Sequence, residues 1–226
     1  MQRINYQNLG LIDYKKAWDY QEELFANVLT HRVDSARDHL GYLLFCEHPH
    51  VYTLGKSGQN TNLLISDERL KQIGATYYHI NRGGDITYHG PGQIVAYPIF
   101  DIEAMNINLK DYIHKLEESV IQTLKVFGFE SSRLDGATGV WLDVGVKGKE
   151  RKICAIGVRA SRFVTMHGLA FNVNTNLDYF NYINPCGFVD KGVTSMQKEL
   201  GHEVDFSDVG KVLKEKFIEV FDLELR

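Results

Sequence analysis

Short β-rich segments, Tyr42 to Cys46, Val51 to Leu54, Thr76 to Ile80 and Gln93 to Phe100, are each bounded by Gly, Pro or Asn, and this punctuation commits the chain to a fold built on a sheet. Strand-like stretches recur as Gly139 to Val144, Lys152 to Ala160 and Val164 to Val173, the last two long enough for central strands. Helical periodicity is confined to a few places. Tyr14, Ala17, Trp18, Leu24, Phe25 and Val28 form an apolar stripe from Asp13, as N-cap, to about Leu29. Ser66-Asp67-Glu68 opens a short helix that Gly74 closes. Asn108 caps a longer one with Leu109, Tyr112, Ile113, Leu116, Val120, Leu124 and Phe127 on one face and Gly128 beyond its end, and a last helix runs from about Asp208 to Phe221. Helices bunched among strands, without regular βαβ alternation, predict an α+β fold with a mixed, mainly antiparallel sheet. Gly145-Val146-Lys147-Gly148-Lys149 is too short for a linker and reads as a hairpin turn, so residues 1–226 are expected to form a single domain.

The charge balance narrows the function. A net charge of −4 provides no global basic field for a nucleic acid. Three cysteines cannot all pair and lack the dense spacing of a secreted disulfide framework, which favours reduced thiols in a cytoplasm. Met1-Gln2-Arg3-Ile4-Asn5 lacks the apolar stretch of a signal peptide, and no run approaches the roughly 18 apolar residues of a membrane span. The expectation is a soluble, cytoplasmic protein that engages neither nucleic acid nor membrane.

The run from Asn81 to Gln93, N-R-G-G-D-I-T-Y-H-G-P-G-Q, carries the functional signal. A Gly-Gly pair lets the main chain approach a ligand where a Cβ would collide and leaves N–H groups free to donate. Arg82 and His89 flank it; the alternative is a glycine-rich surface hairpin. Cys186 stands in Asn184-Pro185-Cys186-Gly187, a turn that presents a thiol as a nucleophile or as an ordinary loop cysteine, whereas Cys46 and Cys154 fall in apolar runs suited to a core. A thiol with a pKa of about 8.5 needs a neighbouring cation to react at neutral pH. Lys152, at the start of a strand, is either that cation or a snorkelling surface residue. Lys152 and Cys154, two apart on one strand face, form a second candidate pair. His89 and His167 are candidate orienting groups or proton shuttles, or hydrogen-bonded wall residues. His48 and His50 share a strand face but lack a third metal ligand at recognisable spacing, so no metal site is expected.

The string R-G-G-x-x-T-Y-H-G-P-G-Q, followed by Ile94-Val95-Ala96-Tyr97-Pro98, resembles the signature of the lipoyl(octanoyl) transferases, the octanoyl carrier-protein:protein transferases of lipoate synthesis. Further blocks agree in order: Glu47-His48-Pro49 to Gly55; Thr138-Gly139-Val140-Trp141 leading into Lys152 to Arg159; and Met166-His167-Gly168 to Asn172, with Asn184-Pro185-Cys186-Gly187 and Gly192-Val193-Thr194-Ser195. The resemblance implies the catalytic fold shared with biotin and lipoate protein ligases. It pairs the lysine of K-x-x-x-x-G, Lys152 before Gly157, with Cys186 rather than Cys154. It assigns substrate binding to Arg82, Gly83, Gly84, Asp85, Ile86, Thr87, Tyr88 and His89, with Ala155, Ile156, Gly157, Gly168, Leu169 and Ala170. The implied donor is octanoyl acyl carrier protein. The implied acceptors are lipoyl domains of 2-oxoacid dehydrogenase complexes and the glycine cleavage H protein, and no cofactor is needed. His50 stands where an apolar residue or proline is expected, leaving the edge of the acyl tunnel open. The rivals are an ATP-dependent lipoate or biotin protein ligase, which does not need Cys186, and a non-catalytic binder, against which Lys152 and Cys186 both speak.

Overall fold

A computed structural model of the chain describes residues 2–31, 41–184 and 191–226. In chain order the elements are β1 (Gln2–Leu11), α1 (Tyr14–His31), β2 (Gly41–Glu47), β3 (Val51–Leu54), α2 (Asp67–Gln72), β4 (Thr76–His79), β5 (Ile86–His89), β6 (Gln93–Phe100), α3 (Leu109–Val126), β7 (Ser132–Leu134), β8 (Ala137–Leu142), β9 (Arg151–Ser161), β10 (Val164–Asn172), β11 (Gly192–Val193), α4 (Met196–Leu200), α5 (Phe206–Phe221) and β12 (Leu223–Leu225). The main sheet has the order β12-β1-β2-β6-β10-β9-β8-β7, with β11 also paired to β9. From β2 to β7 every pairing is antiparallel, while β1 runs parallel to β2 and β12, and β11 parallel to β9. A second sheet, β4-β3-β5, stands apart from it. This is the α+β class with a mixed, mainly antiparallel sheet.

Strand alternation explains why β6 is buried along its whole length. Successive side chains leave a strand on opposite faces. Leu43, Phe45, Ile94 and Ala96 join Tyr112, Leu116, Leu213 and Phe217 of α3 and α5, whereas Leu44, Cys46, Val95 and Tyr97 join Ala17, Leu24 and Phe25 of α1. With helices on both faces, β6 has no polar side. The small sheet keeps its own cluster, in which Tyr52, Leu54, Ile86 and Tyr88 meet Leu70 and Ile183.

The capping residues read from sequence act as such. Asn108 Oδ1 accepts from Asp111 N–H at 2.9 Å, Ser66 Oγ from Arg69 N–H at 3.3 Å and Asp13 Oδ1 from Lys16 N–H at 3.1 Å. The last helix starts at Phe206, earlier than periodicity indicates, because Asp205 accepts from Asp208 N–H at 3.0 Å. Strands β1 and β12 escape the sequence reading: β1 is rich in Gln and Asn, and among its described side chains, those of residues 3–11, Ile4 is the one buried completely. Within the glycine-rich run, residues 86–89 form strand β5, with Ile86, Tyr88 and His89 buried, rather than open loop. Among the described residues no helix is long and apolar enough to cross a membrane.

Candidate active site

A cavity of about 490 Å³ opens between the glycine-rich run and the middle of β9 and β10, within the range of roughly 300–1,000 Å³ usual for small-molecule sites. Arg82, Gly83, Gly84, Asp85, Ile86, Thr87 and His89 line one side. Lys152, Ala155, Ile156, Gly157, Gly168, Leu169 and Ala170 line another, with Ile183, Lys191, Gly192 and Val193 alongside. Tyr88 faces elsewhere: its ring stacks on Tyr179 at 5.1 Å, and its hydroxyl lies 2.8 Å from His50 Nδ1. His50 itself stacks on Tyr179 at 4.0 Å and so belongs to this aromatic group under the small sheet.

The glycine-rich run is stitched down by its own polar groups. Gly83 N–H donates to the Val158 carbonyl at 2.9 Å, Lys56 N–H to the Arg82 carbonyl at 3.0 Å, and Ser57 N–H to the Gly84 carbonyl at 3.1 Å. The Arg82 guanidinium donates to the Thr53 carbonyl at 2.7 Å and the Gly83 carbonyl at 2.9 Å, so much of its donor capacity holds the loop's shape. Asp85 accepts from the Asn62 amide at 2.7 and 2.8 Å and from Ile86 N–H at 2.6 Å.

Close approach explains the glycines opposite. A Cβ on Gly157 would lie 3.0 Å from the Gly83 carbonyl oxygen, and one on Gly168 would lie 2.1 Å from the Ala96 carbonyl oxygen of β6. Gly168 is therefore a packing requirement as much as a lining residue. Gly168→Ala is expected to cost about 1–3 kcal/mol as the β6–β10 ladder moves apart, read as a lowered urea midpoint; an unchanged midpoint would refute this tight contact.

Lys152 pairs in register with Trp141 of β8 and Val193 of β11, and its Nζ lies 4.7 Å from the centroid of the Trp141 ring. That face attracts a cation, and the indole is fixed because Nε1–H donates to the Ala137 carbonyl at 2.9 Å. The ammonium thus has an apolar seat on the cavity wall. Cys154 is fully buried, and burial pushes its thiol well above the ordinary range despite the Lys152 charge, which acts the other way. Burial likewise raises the Cys46 thiol. A buried thiol of this kind supplies little thiolate, so the Lys152 and Cys154 pair lacks an activated nucleophile. Cys186 lies outside the described residues.

Two buried histidines, His89 and His167, line the cavity, and a third, His48, packs behind His89. His48 Nε2 lies 2.7 Å from the Tyr97 hydroxyl and its Nδ1 lies 2.7 Å from the Ile12 carbonyl oxygen. The ring of His89 stacks on Tyr14 at 5.9 Å and meets His48 edge-on at 5.9 Å. His167 has a left-handed backbone, φ 58°, which turns its N–H to Gln21 Oε1 at 2.9 Å while its ring Nε2 lies 3.2 Å from Asn81 Oδ1. Burial is the first cause that lowers all three, His48 to about 4 and His89 and His167 to about 3, with the Arg82 charge adding to the effect on the last two. They are neutral at physiological pH. His48 and His50 lie in the connection between β2 and β3 and turn to different partners. Sequence reading did not identify Gln93 and Asn172, which join His89 to Thr194 through buried amides. Gln93 closes the glycine-rich run, but nothing local points to a partner 79 positions away.

The chain that builds this cavity matches the model of the lipoyl protein ligase A/B catalytic domain over residues 13–218. A putative lipoate protein ligase from T. acidophilum shares the fold with a TM-score of 0.71 at 16% identity, covering 100% of this chain and 88% of the other. A biotin protein ligase from Aquifex aeolicus does so with a TM-score of 0.55 at 15% identity, covering 96% and 70%. An octanoyltransferase of Bacteroides fragilis is 57% identical over 199 residues, 88% of this chain and 89% of its own length. The chain belongs to the octanoyltransferase members of the lipoyl protein ligase A/B catalytic-domain family.

Proposed function

We propose that the chain moves an octanoyl group from octanoyl acyl carrier protein, through a thioester on Cys186, to a lysine ε-amine of lipoyl domains in 2-oxoacid dehydrogenase complexes and of the glycine cleavage H protein. The observation that carries this reading is that Lys152 and the chain segments on either side of Cys186, Ile183 and Lys191 to Val193, line one apolar cavity. Relatives sharing more than half their residues with this chain carry the name octanoyltransferase. The raised thiols of Cys46 and Cys154 leave Cys186 as the cysteine for the chemistry.

The reaction is two acyl transfers. The Cys186 thiolate adds to the donor's thioester carbonyl, main-chain N–H groups stabilise the oxyanion, and the carrier's thiolate leaves, taking a proton from the Lys152 ammonium. Neutral Lys152 then accepts a proton from the acceptor amine as it adds to the acyl-enzyme, and the Cys186 thiolate departs as the amide forms. The products are octanoyl-lysine and the free carrier thiol. A thioester already holds the free energy an amide needs, so no nucleotide is consumed.

Octanoyl carrier protein mixed with the chain, without ATP, is expected to add one octanoyl group of about 126 Da to Cys186. Intact-mass spectrometry reads the adduct, which Cys186→Ala should lose and Cys154→Ala should keep. An adduct that persists in Cys186→Ala, or a requirement for ATP with release of AMP, would overturn the proposal in favour of another nucleophile or of a ligase.

A further inference from the structure

Strand β9 breaks its own alternation beside Lys152. Successive side chains of a strand leave it on opposite faces, yet Ile153 and Cys154 both join the core, while Lys152 before them and Ala155 after them line the cavity. The register shows why: Trp141 pairs with Lys152 but Val140 with Cys154, so β9 carries one extra residue there. A bulge of this kind re-aims a side chain, and here it turns Lys152 out of the core. Strand β8 bends at the same place. Gly139 has φ 125°, and a Cβ on it would lie 2.5 Å from the Cys154 carbonyl oxygen. The Trp141 indole reaches the carbonyl of Ala137, four residues back, which a straight strand would hold about 13 Å off.

The bend is held from outside the two strands. Gly139 N–H donates at 3.0 Å to Oε1 of Glu117, a carboxylate buried on α3. Glu117 Oε2 accepts from Arg133 Nε–H at 3.0 Å, where the β7–β8 register also shifts. A Cβ on the same glycine would lie 3.4 Å from Lys152 Cε and 3.5 Å from its Cδ. No more than about 9 Å therefore separates the Glu117 oxygen from the end of the lysine stem. Beyond the burial that raises the Cys154 thiol, the Lys152 charge lowers it and the Glu117 charge raises it, so both groups lie within electrostatic reach of one atom.

We propose that Glu117 is a positioning residue for Lys152: by taking the Gly139 N–H it fixes the bent stretch of β8 along which the lysine stem lies and keeps the Trp141 ring under the ammonium. Its consequence for activity rests on the transfer reading above, whereas the geometry does not. A carboxylate is a strong acceptor for a main-chain N–H, and its own charge is met by Arg133. Without it the Gly139 N–H is a buried donor with no acceptor, a costly state that the strand relieves by straightening toward a regular ladder with β7. Straightening moves Trp141 and takes the seat from Lys152. Fastening β7 to α3 is not what Glu117 is needed for, because Arg133 also donates to Glu118 at 2.7 Å and to the His114 carbonyl at 2.8 Å.

The test reads Lys152 directly in the full-length chain by NMR. An indole face shields protons that lie over it, so the wild-type Lys152 ε-methylene, assigned by its loss in Lys152→Arg, should resonate upfield of the value for an unstructured lysine. Glu117→Met, similar in length but without an acceptor, should return it toward that value and lower kcat for octanoyl transfer about tenfold, with little change in KM for a lipoyl-domain acceptor. Glu117→Gln, whose Oε1 takes the same N–H, should restore both. Arg133→Met removes the ion pair but leaves the Gly139 acceptor, so it should lower the urea midpoint and leave the Lys152 resonance upfield. A resonance that stays upfield in Glu117→Met, or that moves as far in Glu117→Gln, overturns the proposal. So does a wild-type resonance at the unstructured value, whether or not Glu117→Met folds. An upfield resonance that follows Glu117 in a chain that transfers no octanoyl group would instead overturn the transfer reading.

Discussion

Lys152→Ala is expected to lower octanoyl transfer about 10²–10⁴-fold, the usual contribution of a positioned proton-transfer group. The loss should not reflect unfolding. The contact of Nζ with Trp141 at 4.7 Å is an interaction of about 0.5–1 kcal/mol at a partly exposed site, small against the whole stability of a domain. The two steps ask different things of Lys152, and two substitutions separate them. Its positive charge favours the Cys186 thiolate in the first step, so Lys152→Ala should also slow alkylation of Cys186 at pH 7. Its neutral amine takes a proton in the second step, which arginine, never neutral at accessible pH, cannot do. Lys152→Arg should therefore form the acyl-enzyme and then stall, visible as octanoyl adduct that accumulates without transfer to a lipoyl domain. Full transfer by Lys152→Arg would exclude Lys152 as the proton acceptor.

What the sequence made legible follows the range over which each interaction acts. Caps such as Asn108 and Ser66 hydrogen-bond within three residues, and strands such as Val51–Leu54 and Gln93–Phe100 declare themselves by composition and by the glycines and prolines around them. Strand β1 does not, because its place in the sheet depends on pairing with β2, across residues 32–40, and with β12 at the far end of the chain. The split into two sheets is equally invisible in a list of strands. At the candidate site, the glycine-rich run stood out as a local pattern, yet the reason for Gly157 and Gly168 lies in the Gly83 and Ala96 carbonyls that face them. The His89, Gln93, Asn172 and Thr194 chain spans three separate segments, so no window of sequence contains it. His89 and His167 were legible as candidates, and His48 was not; that burial makes all three neutral required the fold.

Those same histidines predict that the fold loses on the order of 6 kcal/mol between pH 7 and pH 5. The folded values lie near 4 for His48 and near 3 for His89 and His167, below the 6.5 of an ordinary histidine. Above pH 6.5 the imidazoles are neutral in folded and unfolded chains alike and contribute no slope. Below it the unfolded chain binds protons that the folded chain refuses, so stability falls as pH falls. At pH 5, still above all three folded values, each site has cost about 2 kcal/mol, since one pH unit per unmatched proton is about 1.4 kcal/mol. This sum is comparable with the whole stability of a typical domain, about 5–15 kcal/mol. Urea titrations from pH 8 to pH 5 should therefore give a flat plateau followed by a steep decline with a slope approaching three protons. The carboxylates held low by hydrogen bonds, Glu118 by Arg133 and Glu199 by Arg151, add to the loss only nearer pH 4, so the two contributions separate along the pH axis. His48→Gln, which removes one titrating site, should reduce the slope by about one proton even if it lowers the plateau. A stability that changes by less than about 2 kcal/mol between pH 7 and pH 5 would mean that at most one of these imidazoles is held neutral by the fold.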